Sequence, residues 1–244
     1  MNTEIAGIKG LAKLVSLSLL VCATPGFCAA AKDKIVVMLG DSTTLCTYNK
    51  DGTKLTDYVQ ADLTQTRHLP VTIINSGKGA DSAQGGLARL QEAVLAHNPD
   101  VVTISFGLND TGITTPPEYR DSLDKIIRAI QQKTHARILL VTSTPFINAR
   151  HAWGKTFAAK GGLDETLDGK FLKQMRELAQ KYSLPVCDLH ADFAAKFKAK
   201  PSLIDTLIMP DGVHLTGAGN QAAAESLAPM IAKLLAAPSA GPTR

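Results

Sequence analysis

The chain has 244 residues, 45% of them apolar, and a formal net charge of +4. That length and composition suit one well-buried α/β domain. No segment repeats at a fixed period, which excludes a solenoid. No basic stripe or aromatic-plus-basic cluster stands out, so nucleic-acid binding is not expected.

Residues 1–31 read as a secretory signal peptide. Lys9 and Lys13 precede a mostly apolar stretch, Leu14 to Ala23, and the small residues Ala29, Ala30 and Ala31 close it near the expected cleavage site. The apolar stretch is shorter than the ~20 residues a membrane span needs, and no later stretch is long and apolar enough for stable membrane insertion. A lipid-modified Cys22 is the alternative. The expected product is exported, periplasmic or extracellular. There Cys46 and Cys187 are permitted to form a disulfide, provided their Cα atoms lie within reach. The mature part has no Cys-x-x-Cys pair and its histidines are scattered, so no structural metal is expected.

Strand and helix signals then alternate over a domain spanning 32–236. Ile35–Leu39, Val71–Ile74 and Val101–Phe106 are continuous apolar, β-branched runs, the mark of strands covered on both faces. Helical patterns run from about Leu55 to Thr66, along Leu87, Leu90, Val94 and Leu95, and from about Pro117 to Lys133 with Tyr119, Leu123, Ile126, Ile127 and Ile130 as its apolar stripe. Ile138–Thr142 reads as a fourth strand and Pro185–Leu189 as a short fifth. Between them an irregular segment, roughly Pro145 to Gly162, precedes a helix bearing Phe171, Leu172, Met175, Leu178 and Tyr182. A last helix starts near Thr216–Ala218, and 237–244, with Pro238 and Pro242, reads as a flexible tail. This alternation predicts an α/β fold, a flavodoxin-like three-layer sandwich on a five-stranded parallel sheet of order 2-1-3-4-5.

Polar motifs close the apolar runs. Gly40-Asp41-Ser42, Asn75-Ser76-Gly77 and Gly107-Leu108-Asn109-Asp110 follow the first three strands, and Asp211-Gly212-Val213-His214 precedes the last helix. Ligands on an open parallel sheet gather beyond the carboxyl ends of its strands, so these groups converge on one cleft. Ser42 is either a turn or cap serine or a nucleophile awaiting a base. Asp41 suits a structural cap. His214 is the natural base, and Asp211, three residues earlier, can reach back to its Nδ1–H and fix the tautomer. His190, after the fifth strand, is the other candidate base; His68, His97 and His135 fall at helix ends or loops. Asn109 is either a cap or a side-chain N–H donor to an oxyanion. The Ser42 amide and the turn through Gly79 and Ala80 can supply further donors.

Taken in order, Gly40-Asp41-Ser42-Thr43, Asn75-x-Gly77, Gly107-x-Asn109-Asp110 and Asp211-x-x-His214 resemble the SGNH hydrolases, also called GDSL esterases and lipases. The resemblance covers about Lys34 to Leu235. It implies Ser42 as nucleophile, His214 as base, Asp211 as its orienting acid, and an oxyanion site from the Ser42 amide, the amide of Ala80 (Gly79 if the register shifts) and the Asn109 side chain. It implies no cofactor. Thr43 replaces the family's leucine, as in some carbohydrate acetylesterases, whereas Gln84 to Leu90 is similar to lysophospholipase and thioesterase members. Ala80 stands where a glycine is usual, which is harmless if its φ is negative. Trp153, near Phe146, Arg150, His151 and Phe157, is a candidate substrate contact or a loop anchor. The expected partner is a small-molecule or carbohydrate ester. The rivals are a phosphate- or flavin-binding module on the same sheet and an inactive relative that only binds glycans.

Overall fold

The computed structural model describes Met1, residues 33–49 and residues 52–237. Apart from Met1, the expected leader lies outside the described residues, as does the tail beyond Ala237.

Five parallel strands form one sheet in the order β2-β1-β3-β4-β5: β1 Lys34–Gly40, β2 Val71–Gly77, β3 Val101–Ser105, β4 Arg137–Val141 and β5 Val186–Cys187. The predicted order is the observed one. Side chains alternate across the sheet. Val37, Leu39, Val102, Ile104, Ile138 and Leu140 face one apolar core, and Val36, Met38, Val101, Leu139 and Val141 face the other. Both faces being covered explains the unbroken apolar runs. On the first face lie the helices Pro116–Lys133 and Lys173–Tyr182, with Tyr119, Leu123, Ile126, Ile127, Met175 and Leu178 buried. On the second lie Leu55–Ala61, Leu189–Ala199 and Gly217–Ala236, which contribute Val59, Phe193, Leu227 and Ile231.

Several boundaries differ from the sequence reading. β2 runs on through Asn75-Ser76-Gly77 because these polar residues keep the ladder with Met38, Leu39 and Gly40. The fifth strand has only two residues, since Asp188 caps a helix with its side chain and Leu189 already belongs to it. That helix and the short one at Leu203–Leu207 carry no clean single-face stripe and were not expected. The helix anticipated through Leu95 is broken at Arg89, into Ala83–Ala88, Leu90–Ala93 and a 3₁₀ turn at Leu95–His97. The disulfide permitted by export is not formed: Cys46 and Cys187 are free and buried. Burial pushes their thiols up, to about 11 and about 12. Among the described residues no helix is long and apolar enough to cross a membrane.

The register decides where the motifs lie. Gly40 pairs with Gly77 on one side and with Ser105 on the other, so β1, β2 and β3 end level. The order 2-1-3 makes the β1–β3 junction the point where chain direction across the sheet reverses, the usual place for a ligand crevice. The short helix Ser42–Leu45 leaves β1 there and crosses the end of β2. It passes so close that a Cβ on Gly77 would lie 2.2 Å from the Leu45 nitrogen and 2.7 Å from its Cα. Gly77→Ala should therefore push the Ser42 turn off the sheet. The expected loss is about 1–3 kcal/mol of stability, as for other overpacked sites. Denaturant unfolding reads it, and wild-type stability in that variant would contradict this packing.

Candidate active site

Ser42 opens its helix because Asp41 caps it. Asp41 Oδ1 accepts from the Thr43 amide at 2.9 Å and from Thr43 Oγ at 2.8 Å. This is the structural role expected of Asp41. Its other oxygen, Oδ2, is buried without a hydrogen-bond partner. Cys46 then ends the helix in the left-handed conformation, φ 52°.

Asp211 and His214 sit in a tight loop clamped at its base. Ile208 and Leu215 form an antiparallel bridge, the Met209 amide donates to the His214 carbonyl at 2.8 Å, and the Gly212 amide donates back to Met209 at 3.0 Å. Gly212 has φ 77°, a conformation that favours glycine. Asp211 Oδ1 accepts the amides of Val213 (3.0 Å) and His214 (3.1 Å), while Oδ2 lies 2.6 Å from His214 Nδ1. An ionised carboxylate can only accept, so Nδ1 carries the proton and Nε2 keeps its lone pair. Nε2 is 3.0 Å from Ser42 Oγ and accepts from it. Burial pushes the Asp211 carboxyl up, but the hydrogen bonds from the His214 ring and the two amides outweigh it and hold the group below its usual range. Ser42 and the distant Asp211–His214 loop thus form one hydrogen-bonded relay.

Asn109 follows β3 and precedes the short helix Asp110–Ile113. Its Nδ2 donates to the Asp81 carbonyl at 2.9 Å, which spends one of the amide's two N–H groups and orients the other. In the turn after β2, the Lys78 amide is bonded to Gly40 O and the Asp81 amide to Lys78 O. The turn therefore presents the amides of Gly79 and Ala80. Ala80 has φ 56°, not the negative value expected of an alanine there. The left-handed conformation costs an alanine roughly 1–2 kcal/mol, and the surrounding hydrogen bonds impose it.

The turn is flanked by residues to which the sequence reading gave no role. Arg89 Nε pairs with Asp81 Oδ2 at 2.7 Å, and Nη2 donates to Gly40 O (3.1 Å) and Ser76 O (2.9 Å), stitching β1, β2 and the turn together. The Asp110 carboxylate, with no solvent exposure, accepts the amides of Ala83 and Gly107, each at 3.1 Å. A cation one turn beyond a strand-end motif, and an acid directly after Asn109, were the available signals.

His190, the other candidate base, lies elsewhere. It is buried, with Nε2 3.1 Å from Asp164 and Nδ1 3.5 Å from Asp168, beside the Arg176–Asp188 pair. Trp153 is partly buried and rests on Gly112 in the turn after Asn109; a Cβ there would lie 2.8 Å from the indole. Its amide donates to His151 Nδ1 at 3.2 Å. The same segment buttresses the Asp211 loop, since the Ile147 amide donates to Gly212 O at 2.8 Å. Trp153 thus anchors the segment to the turn after Asn109. One neighbour of His214 was missed entirely: the ring centroid of Tyr48 lies 3.8 Å from that of His214, tilted by 32°. Among the described residues no group of three or more His, Cys, Asp or Glu is placed to hold a metal ion.

With this geometry in view, comparison with known proteins is specific. The profile of the GDSL-like lipase/acylhydrolase family matches residues 38–222, and the chain belongs to that family. An arylesterase of Vibrio mimicus is 31% identical over 134 residues, 54% of this chain and 65% of the relative, so the match spans just under two thirds of that relative's length. A lipase/acylhydrolase from Enterococcus faecalis superposes with TM-score 0.66 at 26% identity, covering 81% of this chain and 95% of its own. An acetyl xylan esterase superposes equally, TM-score 0.66 at 25% identity, covering 81% and 99%.

The buried acids behind the site carry a pH signature. Burial raises the Asp41 carboxyl to about 6 and the Asp110 carboxyl to about 7. The folded protein therefore holds these protons to higher pH than the unfolded chain, and stability must fall as pH rises from about 4 to about 7. His151, held below its usual range by burial, acts in the opposite sense, as do the lowered carboxyls of Glu118, Asp124, Asp188 and Asp211, whose gain is nearly complete by about pH 5. A calorimetric Tm lower at pH 7.5 than at pH 4.5, with a smaller drop in Asp41→Asn, is expected. A Tm that rises over this interval would contradict it.

Proposed function

We propose that this protein is an exported serine esterase that hydrolyses carboxylic esters through an acyl-enzyme on Ser42. The observation that carries the reading is the Ser42–His214–Asp211 relay, at 3.0 Å and 2.6 Å. Ser42 Oγ attacks the ester carbonyl as its proton passes to His214 Nε2. The imidazolium so formed is stabilised by Asp211. The negative oxygen of the tetrahedral intermediate is held by the Ser42 amide, the turn amide at Ala80 or Gly79, and the free N–H of Asn109. One such donor is commonly worth ~2.7–4 kcal/mol in the transition state. His214 then gives its proton to the departing alcohol. Water repeats the cycle on the acyl-serine, with His214 again as base. None of these steps calls on a metal or organic cofactor.

A small acyl group on a carbohydrate is the favoured substrate. The fold likeness to an acetyl xylan esterase supports it, and in this reading the Trp153 indole stacks on the sugar ring. The arylesterase relative supports an aryl ester as the second reading. The charge pattern over residues 1–31 supports export.

Ser42→Ala should lower turnover of p-nitrophenyl acetate by about a thousandfold or more, with an unchanged circular dichroism spectrum. Retained activity would overturn the assignment. In the wild type, rates on acetyl, butyryl and octanoyl esters beside acetylated sugars separate the two substrate readings.

A further inference from the structure

The hydrogen bonds to Asp211 and Ser42 fix the His214 ring at its two nitrogens, both on the ring's edge. With the Cβ–Cγ bond they hold the ring by its edge and leave its plane open only to small tilts. A contact on a face damps them. Tyr48 supplies it, with centroids 3.8 Å apart and planes 32° from parallel, a stacked rather than edge-on arrangement.

Tyr48 is not held there as a core residue. It is 44% exposed, one of few large apolar side chains so open to solvent. Its loop is instead pinned on both sides. Before it, the Cys46 thiol donates to the Thr43 carbonyl at 2.6 Å; after it, Asn49 Nδ2 donates to Thr53 O at 2.8 Å. Ser42, Thr43, Cys46, Tyr48, Asn49, His214, Leu215 and Asn220 border one small crevice, so the loop and the relay are contiguous. The loop leaves directly from the helix that carries Ser42.

We propose that Tyr48 is a positioning residue for His214: its ring sets the plane of the imidazole and offers an electron-rich face to the imidazolium formed during acyl transfer. The proposal rests on the esterase reading above. The charged or titratable groups that face His214 are Asp211 in its own loop, Asp41 before the nucleophile and His151 from the Phe146–Trp153 segment. All three persist in Tyr48 variants, so a change on substitution reads the ring itself.

The test compares Tyr48→Phe, Tyr48→Leu and Tyr48→Ala on p-nitrophenyl acetate, with thermal unfolding to verify the fold. Phe keeps the ring and should stay within about twofold of wild type. Leu and Ala should lower kcat by roughly fivefold to twentyfold with KM nearly unchanged, since a slightly misaligned base loses rate rather than binding. The His214 ring protons should also move downfield in the NMR spectrum of Tyr48→Ala, a readout independent of turnover. Leu as active as Phe, a rise in KM with kcat intact, or unmoved His214 resonances would each overturn the proposal. A wild type inert on every ester would fail the esterase reading, and this proposal with it, even if the NMR shift were present.

Discussion

The level ending of β1, β2 and β3 is the constraint on which the site depends. Parallel strands lie about 4.8 Å apart, so pairing Gly40 with Gly77 and Ser105 confines the three strand-end motifs to a patch about two strand spacings wide. Ser42, the Ala80 turn and Asn109 inherit their positions from that pairing. A one-residue slip of β2 or β3 would turn their core residues to the opposite face, so the two apolar cores that fix the register also fix the site.

Around this patch the protein spends buried polar groups. Arg89 gathers three carbonyl or carboxylate acceptors from β1, β2 and the turn, and Asp110 gathers two amides across the Ala83 and Gly107 segments. They flank the turn in which Ala80 takes a conformation that alanine does not favour, and the Asp81 carbonyl orients the Asn109 amide. Asp41 serves the Ser42 helix with one oxygen, and among the described residues the other has no partner. The arrangement raises two carboxyl groups toward neutrality, so stability at the upper end of the pH range is exchanged for donors set in advance.

Much of this was legible in the sequence because it depends on local signals. Unbroken β-branched runs gave the strands, their alternation with helical stripes gave the strand order, and the Asp211-x-x-His214 spacing anticipated a contact made within one turn. Ser42, Asn109 and Asp211-His214 drew notice because each closes an apolar run or opens a helix. What the sequence hid depends on distant partners. Tyr48 sits in a loop with no periodicity, and only the fold lays it on a ring 166 positions away, at His214. The φ of Ala80 belongs to a turn closed by the Asp81 amide on the Lys78 carbonyl, and no alanine announces such a conformation. The helix at Leu189–Ala199 escaped because its apolar residues are spread around the axis, and β5 shrank because Asp188 caps that helix.

The central claim is that the relay makes Ser42 Oγ a nucleophile. Labelling with a fluorophosphonate, followed by peptide mass spectrometry, tests it without reference to any natural substrate. A stoichiometric adduct on Ser42, formed more slowly by orders of magnitude in His214→Ala, is the expected result. No adduct on Ser42 in the folded wild type, or labelling at an unchanged rate without His214, would contradict it.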